Sequence, residues 1–185
     1  MAIEKYTTEA FVLTDYEQGE HDKVFKLFTR DFGMLYALAK SVRKLESKLR
    51  YHLDTSKKIS VTLVKGKEVW RLTGVESLGE SSKNTALACQ IVERFVRGEG
   101  AQKKLFDHVS EFSLLKDETL PRDVGMLALY YVLLVDLGYA DGSLGGAKDI
   151  EEFFSFSLTD HFTHILLHKA VVKSHVHTVM AEMQL

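Results

Sequence analysis

Along the first 76 residues the apolar positions fall in short runs broken by turn-forming clusters, and from residue 85 onward they recur every three to four positions. EAFVLTDY (9–16) is rich in strand-forming residues and ends in the turn-like EQGEHD. KVFKLFTR (23–30) follows, then DFG (31–33), a tight turn in which Gly33 is free to take a positive φ. MLYALAKSV (34–42) is the third run. KISVTLVK (58–65) sets Ile59, Val61 and Leu63 against Ser60, Thr62 and Val64, the period of a half-buried strand. GK (66–67) turns the chain and EVWRLTGVE (68–76) returns.

Five short strands with a helical piece at about 46–53, between the third and fourth, predict a small closed barrel of the OB-fold type over 1–78. GESSKN (79–84) reads as a polar linker with Asn84 placed to cap a helix. The periodicity beyond it predicts helices near 85–98, 101–115, 122–137, 147–155 and 160–182, with Pro121 at the start of the third and Gly138 just past its end. The expected class is therefore α+β: an N-terminal five-stranded OB-fold β-barrel (1–78), a linker (79–84) and an all-α C-terminal domain (85–185).

Composition narrows the function classes. The 185 residues are 45% hydrophobic and 27% charged, ordinary for a globular protein. One cysteine, Cys89, excludes an internal disulfide and a Cys-rich zinc module, and suits a reducing compartment. MAIEKYTTEAFVLTD has no basic segment leading into an apolar one, so no secretory signal is expected. The longest apolar run, MLALYYVLLV (126–135), is too short for a bilayer and reads as a buried core helix. A cytoplasmic protein with no membrane partner is the expectation.

Charge changes the picture more than composition does. The chain carries a formal −2, yet residues 40–71 hold 10 basic and 3 acidic groups, net +7. These cations are spread over several elements. Lys40, Arg43 and Lys44 follow the third strand, Lys48 and Arg50 lie on the short helix, and Lys65, Lys67 and Arg71 lie on the last hairpin. Tyr36, Tyr51 and Trp70 are interleaved with them. A charge run is often only a solvated face. Cations from separate elements, with rings between them, also meet the recipe for single-strand nucleic-acid binding: a cationic groove with stacking platforms. Tyr51 and Tyr36 are the favoured platforms, since Trp70 also suits the barrel interior.

The same stretch resembles the N-terminal domain of the bacterial recombination mediator family RecO. The family pattern is a first strand, a GE-D turn, LFT-R-GK in the second and third strands, and AKGARR-KS-LR-HL running into the last hairpin. The matching residues are Gly19, Glu20, Asp22, Leu27, Phe28, Thr29, Gly33, Ala39, Lys40, Arg43, Ser47, Leu49, Arg50, His52 and Leu53, with Lys44 as a second cation. Beyond residue 80 the likeness thins to a helical pattern and LLVDLGY (133–139). The resemblance implies binding of single- and double-stranded DNA, annealing of complementary strands, recognition of the C-terminal tail of the single-stranded DNA-binding protein, and help with RecA loading together with RecR. Many family members carry a four-cysteine zinc element after the LG segment. YADGSLGGAKDIEEFF has no cysteine there, so no metal site of that kind is expected.

Other constellations are weaker. His161, His164, His168 and His175 fall within about 60° on one helical face, where they form a polar margin or, through His164 and His168, a pair that can clip a divalent ion. No phosphate-binding glycine loop, zinc-protease motif or nucleophile elbow occurs. Cys89 reads as core, so no catalytic set and no cofactor are expected. The alternative from another class is an interaction adaptor that binds an acidic peptide through the basic face of the barrel, and an RNA-binding barrel is a third reading.

Overall fold

A computed structural model describes residues 4–67, 69–115, 122–143, 148 and 157–182. The first strands close on themselves in the order β1-β2-β3-β5-β4, with β1 at Lys5–Gln18, β2 at Asp22–Thr29, β3 at Gly33–Ala39, β4 at Lys58–Lys65 and β5 at Trp70–Ser77. All neighbours are antiparallel except β3 and β5, which run parallel and share only Ala37↔Trp70 and Leu38↔Arg71. This is the OB-fold. Strand β1 is longer than the sequence pattern predicts because it pairs twice: Lys5–Phe11 lie along β4 and Ala10–Gln18 along β2. A register slip between Val12 and Thr14 bends it from one partner to the other.

Alternation decides which side chains fill the barrel. Ile59, Val61 and Leu63 of β4 are fully buried, as are Ala10 and Val12 of β1, and Phe25, Leu27, Leu35 and Ala37 are no more than 1% exposed. Each large side chain so buried contributes about 1.5–3 kcal/mol. The expected helical piece at 46–53 is a shorter 3₁₀ turn, Lys48–Tyr51, whose N-cap Ser47 makes no side-chain cap bond. Leu53 is buried and Leu49 half-buried against the barrel core, so the turn seats its apolar residues on the barrel while its charged ones face out.

Beside the first half of β3 lies a strip that the pattern did not announce. Gly33 bridges to Glu99, Met34 N–H donates to Gly98 O at 3.1 Å, and Gly100 N–H donates to Phe32 O at 3.0 Å. Gly33 has φ +70°, and a Cβ there would lie 2.2 Å from Gly100 O, so both the turn and the approach require glycine.

The helices are α1 (Lys83–Phe95), α2 (Lys103–Leu114), α3 (Arg122–Asp136), α4 (Leu158–Leu167) and α5 (Lys169–Glu182). The expected cap at Asn84 is corrected. Ser82 takes the extended backbone and its hydroxyl accepts from Thr85 N–H, leaving Asn84 buried inside the helix. Helix α3 is buried nearly all round, as a core helix should be. It ends at Gly138, φ +79°, where Tyr139 N–H reaches Leu134 O and Gly138 N–H reaches Val135 O. The single helix expected over 160–182 is two, because His168 (φ −114°, ψ 24°) leaves the helical well. Ser157 and Asp160 form a capping box at the start of α4. The expected helix at 147–155 and Pro121 lie outside the described residues, apart from Lys148. The chain divides into two compact units, Met1–Phe106 and Asp107–Leu185.

Candidate nucleic-acid interface

Asp22 anchors the basic segment. Its carboxylate accepts Ser41 N–H at 2.7 Å, holding Ser41 at φ +54°, and Arg43 N–H donates to His21 O at 3.1 Å. The GE-D turn between β1 and β2 thus fixes where Lys40, Arg43 and Lys44 emerge from β3. At the other end of the connection, Ser56 N–H donates to Val12 O and Val12 N–H to Lys57 O, tying the chain to the β1 bulge. A loop of this length would otherwise cost considerable ordering entropy.

Two of the predicted cations meet in one cavity. Arg43 and Arg50 line a space of about 380 Å³ together with Lys23, Glu17 and Asp54, over an apolar floor of Phe25, Val42 and Leu53. The Arg43 guanidinium pairs with Glu17 at 3.0 Å. Lys23 pairs with Asp15, and Lys57 with Asp54 at 2.6 Å. Surface pairs of this kind are worth about 0–1 kcal/mol, so a phosphate can compete for the cation. Lys40, Lys44, Lys48, Arg50, Lys67 and Arg71 are exposed and form no ion pair with another described residue. Tyr51 is 70% exposed, directly beside Arg50.

A second group sits on the outer face of the strands. Tyr36, 47% exposed, lies opposite Lys26, whose ammonium reaches Glu93 at 3.2 Å. Arg71 lies beside Leu38 on one side and Val64 on the other. The β4–β5 hairpin carries Lys65 and Lys67 apart from the Arg43/Arg50 cavity; neither lines it. The Lys65 ammonium stands 5.3 Å from the Trp70 ring centroid. Trp70 itself is no stacking platform. It is 4% exposed, packs against Tyr6 and Phe32, and donates its indole N–H to Glu99.

The remaining candidates resolve into packing. His161 is fully buried with its ring 5.6 Å from that of His108, while the break at His168 places His175 on a separate helix, edge-on to Tyr131. The four histidines therefore do not form one stripe, and no group of three or more His, Cys, Asp or Glu among the described residues is placed to hold a metal. Cys89 is 3% exposed, and burial, aided by nearby Glu93, pushes its thiol up to about 12, which makes it a poor nucleophile. Within the helical unit, Met126, Leu127, Val176 and Met180 line a cavity of about 360 Å³ bordered by Lys169 and Lys173. No described helix is long and apolar enough to cross a membrane.

The geometry is that of an OB barrel with exposed cations on the segment after β3, on the 3₁₀ turn and on the β4–β5 hairpin, and sequence comparison agrees with the barrel. Residues 1–80 match the family model described as Recombination protein O N terminal. Over 110 residues the chain is 31% identical to the DNA repair protein RecO of Dehalococcoides mccartyi, covering 55% of this chain and 44% of that protein. Over 82 residues it is 33% identical to the DNA repair protein RecO of a Nocardioides species, covering 44% of this chain and 34% of that one. The match thus spans less than half the length of these relatives. The likeness to the RecO family is carried by the first 80 residues, the barrel and the linker that follows it.

Proposed function

We propose that the protein is a DNA-binding recombination and repair mediator that binds and anneals single strands and, with RecR, helps load RecA, without bond-making chemistry of its own. The observation that carries this reading is the set of exposed cations, on elements joined to one barrel, that form no ion pair with another described residue: Lys40, Lys44, Lys48, Arg50, Lys67 and Arg71. At none of the six does a described carboxylate compete with a phosphate for the cation. Tyr51 and Tyr36 supply exposed rings on which bases can stack. The likeness to proteins named for DNA repair supports the same reading. Double-stranded DNA would use the cations alone. For the tail of the single-stranded DNA-binding protein, the candidate seat is the Lys169/Lys173-bordered cavity of the helical unit, where an apolar side chain and a carboxylate could be held together. The site of action would be the cytoplasm.

The test is fluorescence anisotropy with a labelled single strand over a salt series, comparing wild type with Lys40→Ala/Lys44→Ala. The slope of log affinity on log salt should flatten by roughly 1.4, about 0.7 for each phosphate no longer neutralised. Absence of binding at low salt, together with tight binding of an acidic peptide, would turn the assignment to the adaptor.

A further inference from the structure

We infer that the Arg43/Arg50 cavity receives one unstacked nucleotide of the bound strand and favours a base bearing an exocyclic amine. This deepens the DNA-binding reading and rests on it. The lining is what separates this cavity from a general phosphate patch. A site evolved only for phosphates would exclude carboxylates, yet Glu17 and Asp54 both face the space alongside Arg43 and Arg50. An acidic peptide would meet the same repulsion from them. A nucleotide presents both chemistries in one molecule: an anionic phosphate for a guanidinium, and a polar base edge that includes, for cytosine and adenine, an N–H₂ donor.

The partners divide accordingly. Arg50 is the lining cation that forms no ion pair among the described residues, so its five donors are available to a phosphate. Glu17 accepts from Arg43 and Asp54 from Lys57, but an ionised carboxylate has about four acceptor sites, so each keeps capacity for a base amine. Carboxylates accept from the N4 amine of cytosine; thymine offers an acceptor there and would face them unfavourably. Val42 and Leu53, both buried, supply apolar lining for the base. A volume of about 380 Å³ falls within the range of small-molecule sites. Tyr51, exposed and on the turn that carries Arg50, would supply the ring for the neighbouring base.

The experiment compares labelled dC12 and dT12 with wild type, with Glu17→Gln/Asp54→Asn and with Arg50→Ala. Both carboxylate side chains are largely exposed, at 63% and 64%, so the double variant removes charge without disturbing the core. Wild type should bind dC12 about five- to tenfold tighter than dT12, as one amine–carboxylate contact provides. The carboxylate variant should bring that ratio to near one while binding both oligonucleotides at least as tightly as before. Arg50→Ala should weaken both alike and leave the ratio standing. Equal affinity of wild type for the two oligonucleotides, or a cytosine preference that survives in the carboxylate variant, overturns the inference while leaving DNA binding intact. Binding of neither oligonucleotide overturns both.

Discussion

The Trp70 indole N–H donates to a Glu99 carboxylate oxygen at 3.1 Å, joining β5 to the strip that follows α1. Trp70 is the chain's single tryptophan and is 4% exposed, so its emission reports on the barrel interior and not on ligand. Saturating oligonucleotide should leave the emission maximum where it is, whereas urea should shift it to the red. Trp70→Phe should lower stability by about 1–3 kcal/mol through reduced volume and an unpaired Glu99. Its DNA affinity, read by anisotropy below the unfolding transition, should stay within twofold of wild type.

Tyr51 should behave in the opposite way. It is 70% exposed and contributes little to packing. Tyr51→Ala should leave the urea midpoint nearly unchanged and weaken single-strand binding about tenfold, as removal of one stacked base does. Tyr51→Phe should keep most of the affinity, because the stacking ring remains.

Gly33→Ala tests the closure of β3 against residues 98–100. The added methyl would meet Gly100 O at 2.2 Å and force a positive φ on an L-residue. Destabilisation of at least about 1–2 kcal/mol is expected. Gly98→Ala, also at positive φ (+74°) but with no atom within 4 Å of the added Cβ, should cost less, and the difference between the two denaturation curves isolates the clash.

Asp31 should give stability an acid limb. The Thr8 hydroxyl donates to it at 2.7 Å and the Lys103 ammonium lies 3.1 Å away, holding its carboxyl below the ordinary range. With the folded value below the unfolded one, the contribution is present above about pH 4 and disappears as pH falls through the folded value. Asp31→Asn should therefore be less stable than wild type at pH 7, by less than about 1 kcal/mol given its exposure. The two denaturation curves should converge as pH falls below about 4 and through the folded value.

Much of the barrel is readable from alternation alone. β4 runs from Lys58 to Lys65, the bounds its pattern predicts, because one face is buried and the other is not. Gly33 and Gly138 both take the positive φ that their positions imply. The burial of Trp70 was also legible: it shares parity with buried Leu72 while Arg71 and Thr73 point out. Helix ends were harder, since Ser82 and Asn84 are both good caps and only the backbone of Ser82 is extended. The break at His168 left no trace in the apolar spacing, which continues from Ile165 to Val172, Val176 and Val179. At the interface, the sequence exposed the cations and Asp54, which interrupts their run, but not Glu17, which reaches the same cavity from β1. Asp22 stood among the family-like residues with no role attached. Its bond to Ser41 joins segments 19 residues apart, and no local pattern encodes that.

The narrow pairing between β3 and β5 has a practical corollary. Trimming the chain at residue 80 keeps all five strands yet unzips one flank of the cylinder: Met34 N–H and Phe32 O are stripped of their partners at Gly98 and Gly100, and the indole of Trp70 is stripped of Glu99. Such a fragment should be sticky along that raw margin. The shortest piece expected to remain monodisperse runs through Phe106, whose ring leans on Phe11 and Phe28.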